Sequence, residues 1–308
     1  MEHEGKRPVL NNIFGYIKNI FWILLVLQLV PLFFGNIKNA VADVMSPKAH
    51  VGYLTIKGEI TDASFYVKKI DEFAKDDEIQ ALLVRIDSSG GYSGTSQIIF
   101  NELKRFKKNK PIVALIENVG ASGAYYIAAA ANKIVASPQS LVGSIGTVLQ
   151  VPNVKELLAS WKVRFYEIHS GSYKTAGSPV KDMTDEDLAY LQTLSDDHYD
   201  LFVKDIAEAR GLDVADHKKW ADGKPFTGRQ GLELKLIDKL GSFSDALDEL
   251  KIVANIEEEI KLVAAKKPGS VMQWLSGSDD SDGSTQSFTD LVASHVGSAL
   301  AKNVINCS

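Results

Sequence analysis

The sequence holds a single cysteine, Cys307, one residue from its C-terminus. No intramolecular disulfide and no thiolate metal cluster can be built from this chain alone. Its six histidines, His3, His50, His169, His198, His217 and His295, show no HExxH or comparable ligand spacing, so no metal site is expected. Positive charge is not in surplus either: 34 Lys and Arg against 39 Asp and Glu leave a net charge of -5. Without a broad basic face for a phosphate backbone, nucleic acid is set aside as a partner. A nucleotide phosphate cradle is disfavoured too, because the glycine turn Ser88-Ser89-Gly90-Gly91 lacks the G-x-x-x-x-G-K-S/T pattern.

What is present begins with an uncharged apolar stretch, Ile20 to Phe34, which with the mixed residues Ile13 to Ile17 approaches the ~20 residues a bilayer core demands. Lys6, Arg7 and Lys18 precede it and only Lys38 and Lys48 follow closely, a bias that favours an inside N-terminus and an exported body. The expected layout is a cytoplasmic N-terminus (1–19), a transmembrane anchor (20–37), a linker (38–50), a catalytic domain (51–266) and a flexible link with an amphipathic tail (267–308). A cleaved secretory signal is the competing reading of the first part, since Ala40-Val41-Ala42 before Asp43 resembles a small-residue cleavage site.

The body alternates strand and helix patterns, which implies an α/β fold with a largely parallel sheet covered by helices. Val51 to Ile60 reads as an edge or opening strand, Ser64 to Ala74 as a helix, Ala81 to Asp87 as a buried strand and Thr95 to Phe106 as a helix. Further strands are expected at Pro111 to Glu117, Lys133 to Ala136, Leu141 to Val148 and Val163 to Ile168. Helices are expected at Ala124 to Ala131, Val154 to Trp161, and from a capping box at Thr184 and Asp187 to Arg210, stopped by Gly211. The tail composition from Lys267, rich in Gly, Ser and Asp, cannot bury enough to order itself before the apolar spacing of Phe288 to Lys302.

Two glycine-containing turns, Ser88 to Gly91 and Gly120 to Gly123, fall at the carboxyl ends of strands, where an open parallel sheet gathers its ligands. Ser122, within Gly120-Ala121-Ser122-Gly123, stands at a strand-to-helix turn that can expose a hydroxyl beside backbone N–H groups, as acyl transfer requires. The same spacing also suits an ordinary helix N-cap serine. A serine nucleophile needs a base, and the residues offer two: His169, at the edge of a glycine-rich loop, and Lys174 within it.

Taken together, Val51 to Ile60, Arg85 to Gly91, Gly120 to Ile127, Val142 to Val148, Gly171 to Ser178 and Trp220 to Gly241 resemble, in order and spacing, the SppA signal peptide peptidases in their short form. The resemblance spans roughly Val51 to Leu250. It implies a ClpP/crotonase-like fold and a membrane-bound serine endopeptidase that clears signal-peptide remnants and other membrane-associated peptides. It also implies Ser122 as nucleophile, Lys174 as general base, Ser144 as the serine that holds the lysine amine, and Gly91 and Gly123, with Gly90 beside them, as the oxyanion hole. No metal or organic cofactor is needed by any step it implies. Its expected partners are peptide substrates, lipid around residues 20–37 and further copies of the chain in a ring, at a bacterial inner membrane with the catalytic domain on the extracytoplasmic side.

Because desolvation penalises a charged amine, a lysine acting as base near neutral pH is expected to be dry. Ser89 stands where the family usually has proline, which predicts a looser glycine turn. Three other readings stay open at this point: a narrower protease of the stomatin-operon type, an acyl-CoA enzyme of the same fold, and a catalytically silent membrane scaffold.

Overall fold

The computed structural model describes residues 48–265, together with Trp22 and Leu25. Within it, the apolar runs read from the sequence become strands buried on both faces. Along β2 (Ile79–Gly91), Leu82, Val84 and Ile86 point into one apolar cluster, while Ala81 and Leu83 point into another. That alternation, with apolar residues on both sides, is what an interior parallel strand needs. The first cluster is roofed by α1 (Ser64–Lys75), α2 (Ser93–Phe106), α3 (Gly123–Ala129) and the end of α5 (Asp185–Arg210). The second is covered by α8 (Phe243–Ala254) through Ala246 and Leu250. A helix-flanked α/β sheet is therefore what the chain forms.

The sheet has eight strands in the order β6-β5-β3-β2-β1-β8, with β4 beside β3 and β7 beside β4. Its members are β1 (Lys48–Ile60), β2, β3 (Ile112–Ala121), β4 (Lys133–Ala136), β5 (Leu141–Gly143), β6 (Pro225–Thr227), β7 (Lys239–Leu240) and β8 (Glu259–Ala264). Among these pairs only β5 with β6 is antiparallel. Three short α-helices, α4 (Lys155–Ser160), α6 (His217–Trp220) and α7 (Gly228–Glu233), and a 3-10 turn, Val214–Asp216, complete the described elements.

Several expectations need correction. β1 is interior, not an edge, because β8 pairs along Lys48–Tyr53; the supposed linker residues Lys48–His50 are thus part of the sheet. Strand β3 continues to Ala121, beyond the expected Glu117, because Val119, Gly120 and Ala121 pair with Leu141, Val142 and Gly143. The strand expected over Leu141 to Val148 ends at Gly143, and Val163 to Ile168 forms no strand. Those apolar side chains lie on the surface instead, with Ile168 99% and Tyr166 81% exposed. The long helix keeps its expected capping box and its left-handed Gly211 stop, yet only its second half packs: Phe202 and Ile206 are buried while Leu188 and Leu194 are exposed.

Among the described residues no helix is long and apolar enough to cross a membrane. The expected anchor, 20–37, lies outside the described residues apart from Trp22 and Leu25, which are helical, and the link and tail expected over 267–308 lie outside them altogether.

Candidate active site

Strand β3 delivers Ser122 to the head of α3 in an unusual backbone conformation, φ 53° and ψ -126°. An N-cap serine would hold an extended backbone and accept a hydrogen bond from the first turn of its helix. Ser122 does neither: its side chain makes no capping bond. Its amide is held instead by a 2.7 Å bond to the carbonyl of Gly143 on the neighbouring β5. Non-glycine residues in such sparsely populated regions persist only where the surroundings over-determine them, and they cluster at functional sites.

The two glycine turns converge on this serine. A Cβ added to Gly90 would lie 2.9 Å from both the amide nitrogen of Gly123 and the Cβ of Ser122, and Gly90 itself sits at φ 110°. A Cβ on Gly91 would meet the carbonyl oxygen of Ile60 at 2.2 Å. Only glycine allows the β2 turn to pass this close to β1 and α3. The turn is not loosened by Ser89. Ser88, buried beside it, donates to the carbonyl of Gly58 at 2.5 Å and accepts from the amide of Gly90 at 3.1 Å, so a side chain fixes what a proline ring would otherwise restrain. With its N–H taken by Ser88, Gly90 contributes space, whereas Gly91 and Gly123 line a pocket together with Ser122.

A small pocket opens at this point, lined by Gly91, Ser93, Ser122, Gly123, Gly146, Tyr126, His198 and Phe202. The ring of Tyr126 stacks on Phe202 at 4.5 Å and tilts against Phe100 at 4.8 Å, and its hydroxyl bonds the carboxylate of Asp205. Burial, and then that carboxylate, raise the Tyr126 phenol well above its ordinary range, so it stays neutral and serves as a wall. Sequence reading did not single out Tyr126, His198 or Phe202. A signal existed in the helical spacing: Tyr126 is four residues after Ser122, and His198 and Phe202 are four apart on α5.

Ser144 occupies the residue after Gly143, also left-handed at φ 50°, and its hydroxyl donates to the carbonyl of Gly223 at 3.0 Å. Lys174 lies in a tight turn between Gly171 and Gly177, both with positive φ, with its amide bonded to Gly171. The next ring along, Tyr173, stacks on Tyr190 of α5 at 4.6 Å and holds the turn against that helix. The expectation of a dry lysine is corrected by the single chain: Lys174 is exposed and is not among the residues lining the Ser122 pocket. The segment before its loop, from Val163 to Ile168, is exposed too. His169 is exposed as well, its ring bonded to the Gly171 carbonyl 3.2 Å away.

Residues 104–257, half of the chain, match the family model described as "Peptidase family S49". The chain belongs to peptidase family S49. The matched S49 segment contains Ser122, Ser144 and Lys174, whereas Gly90 and Gly91 precede it. Among relatives, the chain is 39% identical over 200 residues to a "Putative protease" of Synechocystis, covering 65% of this chain and 72% of that one. It is 36% identical over 195 residues to a "Putative protease" of Methanocaldococcus jannaschii, covering 63% of each. To a "Putative signal peptide peptidase SppA" of Enterococcus faecium it is 35% identical over 186 residues, covering 60% of this chain and 53% of that one. This S49 chain is thus SppA-like and spans between about half and three quarters of the length of these three relatives. The acyl-CoA enzyme reading finds no support in these likenesses.

Proposed function

We propose that the chain is a membrane-tethered serine endopeptidase in which Ser122 attacks a peptide carbonyl and Lys174 is the general base. The observation that carries this reading is the backbone of Ser122, held outside the N-cap geometry beside two glycine turns. Lys174 takes the hydroxyl proton as the Ser122 oxygen bonds the carbonyl carbon. The resulting oxyanion is held by the N–H groups of Gly91 and Gly123, a contribution of about 3 kcal/mol per donor in comparable enzymes. Collapse breaks the C–N bond, and the lysine ammonium returns the proton to the leaving amine. A water, deprotonated by the same lysine, then releases the acyl group from Ser122. Ser144 suits the holding role: donation to Gly223 fixes its hydroxyl and leaves oxygen lone pairs for a lysine N–H.

Assembly supplies the cover that Lys174 lacks in one chain. Val148, Trp161, Phe165, Tyr166 and Ile168 form an exposed apolar arm leading to its turn, and such surface is normally buried against a partner. The occupant is a second copy of this chain, in a homo-oligomeric ring with a ClpP/crotonase-like body. Substrates are signal-peptide remnants and membrane-protein fragments, reached by a body held on the extracytoplasmic side of a bacterial inner membrane through residues 20–37.

One observation favours a second reading, in which His198, the imidazole of the pocket, replaces the lysine as base. Cleavage of a synthetic signal peptide by Lys174→Ala and His198→Gln chains in detergent separates the two. The lysine reading expects Lys174→Ala to lose at least about 10³-fold in kcat and His198→Gln less than about tenfold. The reverse order assigns the base to His198.

A further inference from the structure

The side chain of Ser96 is fully buried, and its hydroxyl has no hydrogen-bond partner among the described residues. An unpaired buried hydroxyl is costly, about 1–3 kcal/mol, and native structures keep few. A ready partner lies close in sequence. Serine inside a helix commonly bonds the carbonyl four residues back. Here the Tyr92 carbonyl accepts the Ser96 amide at 3.0 Å and has a lone pair to spare, yet the hydroxyl makes no bond to it.

It is turned onto Gly123. A Cβ built on Gly123 would lie 2.2 Å from the Ser96 oxygen, 3.1 Å from the Ser96 Cβ and 3.4 Å from the amide nitrogen of Gly91. One buried oxygen therefore sits where α2, the Gly91 turn and the first residue of α3 meet, against Gly123, which with Gly91 lines the pocket that Ser96 itself does not line. Gly123 has no side chain at that point, so its Cα–H meets the oxygen in the way weak C–H···O contacts form. Alanine at 96 would leave a gap behind Gly123, and a larger atom would push it outward.

We infer that Ser96 is a positioning residue, its hydroxyl acting as the stop that sets the direction of the Gly123 N–H toward the substrate oxygen. The inference rests on the acyl-transfer reading of Ser122. Its energetic logic is local: an unsatisfied hydroxyl is tolerated because a donor aimed at developing charge must be held before the charge appears. Removing the oxygen thus weakens the reaction without weakening the fold, whereas a residue that only packs would do the opposite.

The test measures kcat, KM and thermal midpoint for full-length Ser96→Ala and Ser96→Cys beside the parent and Ser122→Ala, with a synthetic signal peptide as substrate. Ser96→Ala is expected to lower kcat 10- to 100-fold, leave KM within twofold, and melt at or above the parent temperature. Ser96→Cys, with its larger sulfur, is expected to lower kcat as well but to melt lower. Ser96→Ala at parental kcat while Ser122→Ala is dead overturns this inference alone. So does a fall in kcat that only tracks a lowered melting temperature. A Ser122→Ala chain as fast as the parent overturns the acyl-transfer reading, and this inference with it.

Discussion

Ser122 and Ser144 are the residues that follow a paired position, Ala121 with Gly143, on adjacent parallel strands, and both turn into positive φ there, at 53° and 50°. The Ser122 amide bonds the Gly143 carbonyl, so the two strand ends are tied together at the point where both backbones leave the sheet. Two hydroxyl-bearing residues bent out of regular geometry at one sheet edge indicate that the fold stores strain there to display side chains. The carboxyl edge of a parallel sheet is where such display is useful.

That strain is measurable. Replacing Ser122 with glycine, which adopts positive φ without a Cβ penalty, is expected to stabilise the fold by about 1 kcal/mol while abolishing cleavage. Chemical denaturation of parent and Ser122→Gly chains checks the first part. A variant that unfolds more readily than the parent contradicts the strained-serine account.

The exposed arm gives a second expectation. Phe165→Asp combined with Ile168→Asp places charge on the surface assigned to a second copy, and light scattering should show a smaller assembly. Cleavage should fall in parallel, because Lys174 then stays in water. An unchanged mass, or full activity from single chains, separates the lysine from assembly.

A third concerns the long helix. The buried carboxylate of Asp187 is held below the usual range, chiefly by its hydrogen bond from Lys181 and further by the backbone amide of Thr184, against desolvation. A depressed folded value means the stability it adds is full above the ordinary aspartate value near about 4 and is lost as pH falls through the lowered one. The melting temperature of Asp187→Asn should therefore lie below that of the parent at pH 7, with the gap closing in strong acid. A gap that persists unchanged at low pH assigns the effect to something other than ionisation.

Sequence periodicity made the sheet legible where both faces of a strand are apolar, as along Ala81 to Ile86, and capping chemistry marked the start of α5 at Thr184. It misled where apolar residues face outward. Val163 to Ile168 has the composition of a buried strand, but among the described residues its apolar side chains stay exposed. Strand β8 escaped notice because EIKLVA is short and carries two charged residues in six, and its partner β1 defines it. At the site, spacing placed Ser122 and the glycine turns at strand ends but suited an N-cap serine as well, and it was the resemblance to a family that pointed to a nucleophile. Ser96 carried no such signal, since its role depends on which helices come together, a property of packing rather than of pattern.

The central claim is that Ser122 is the nucleophile, and the most direct test is the rate at which full-length Ser122→Ala in detergent cleaves a synthetic signal peptide that the parent cleaves. The account predicts a loss of at least about 10³-fold, with an unchanged assembly by light scattering. A Ser122→Ala chain that cleaves within tenfold of the parent contradicts it.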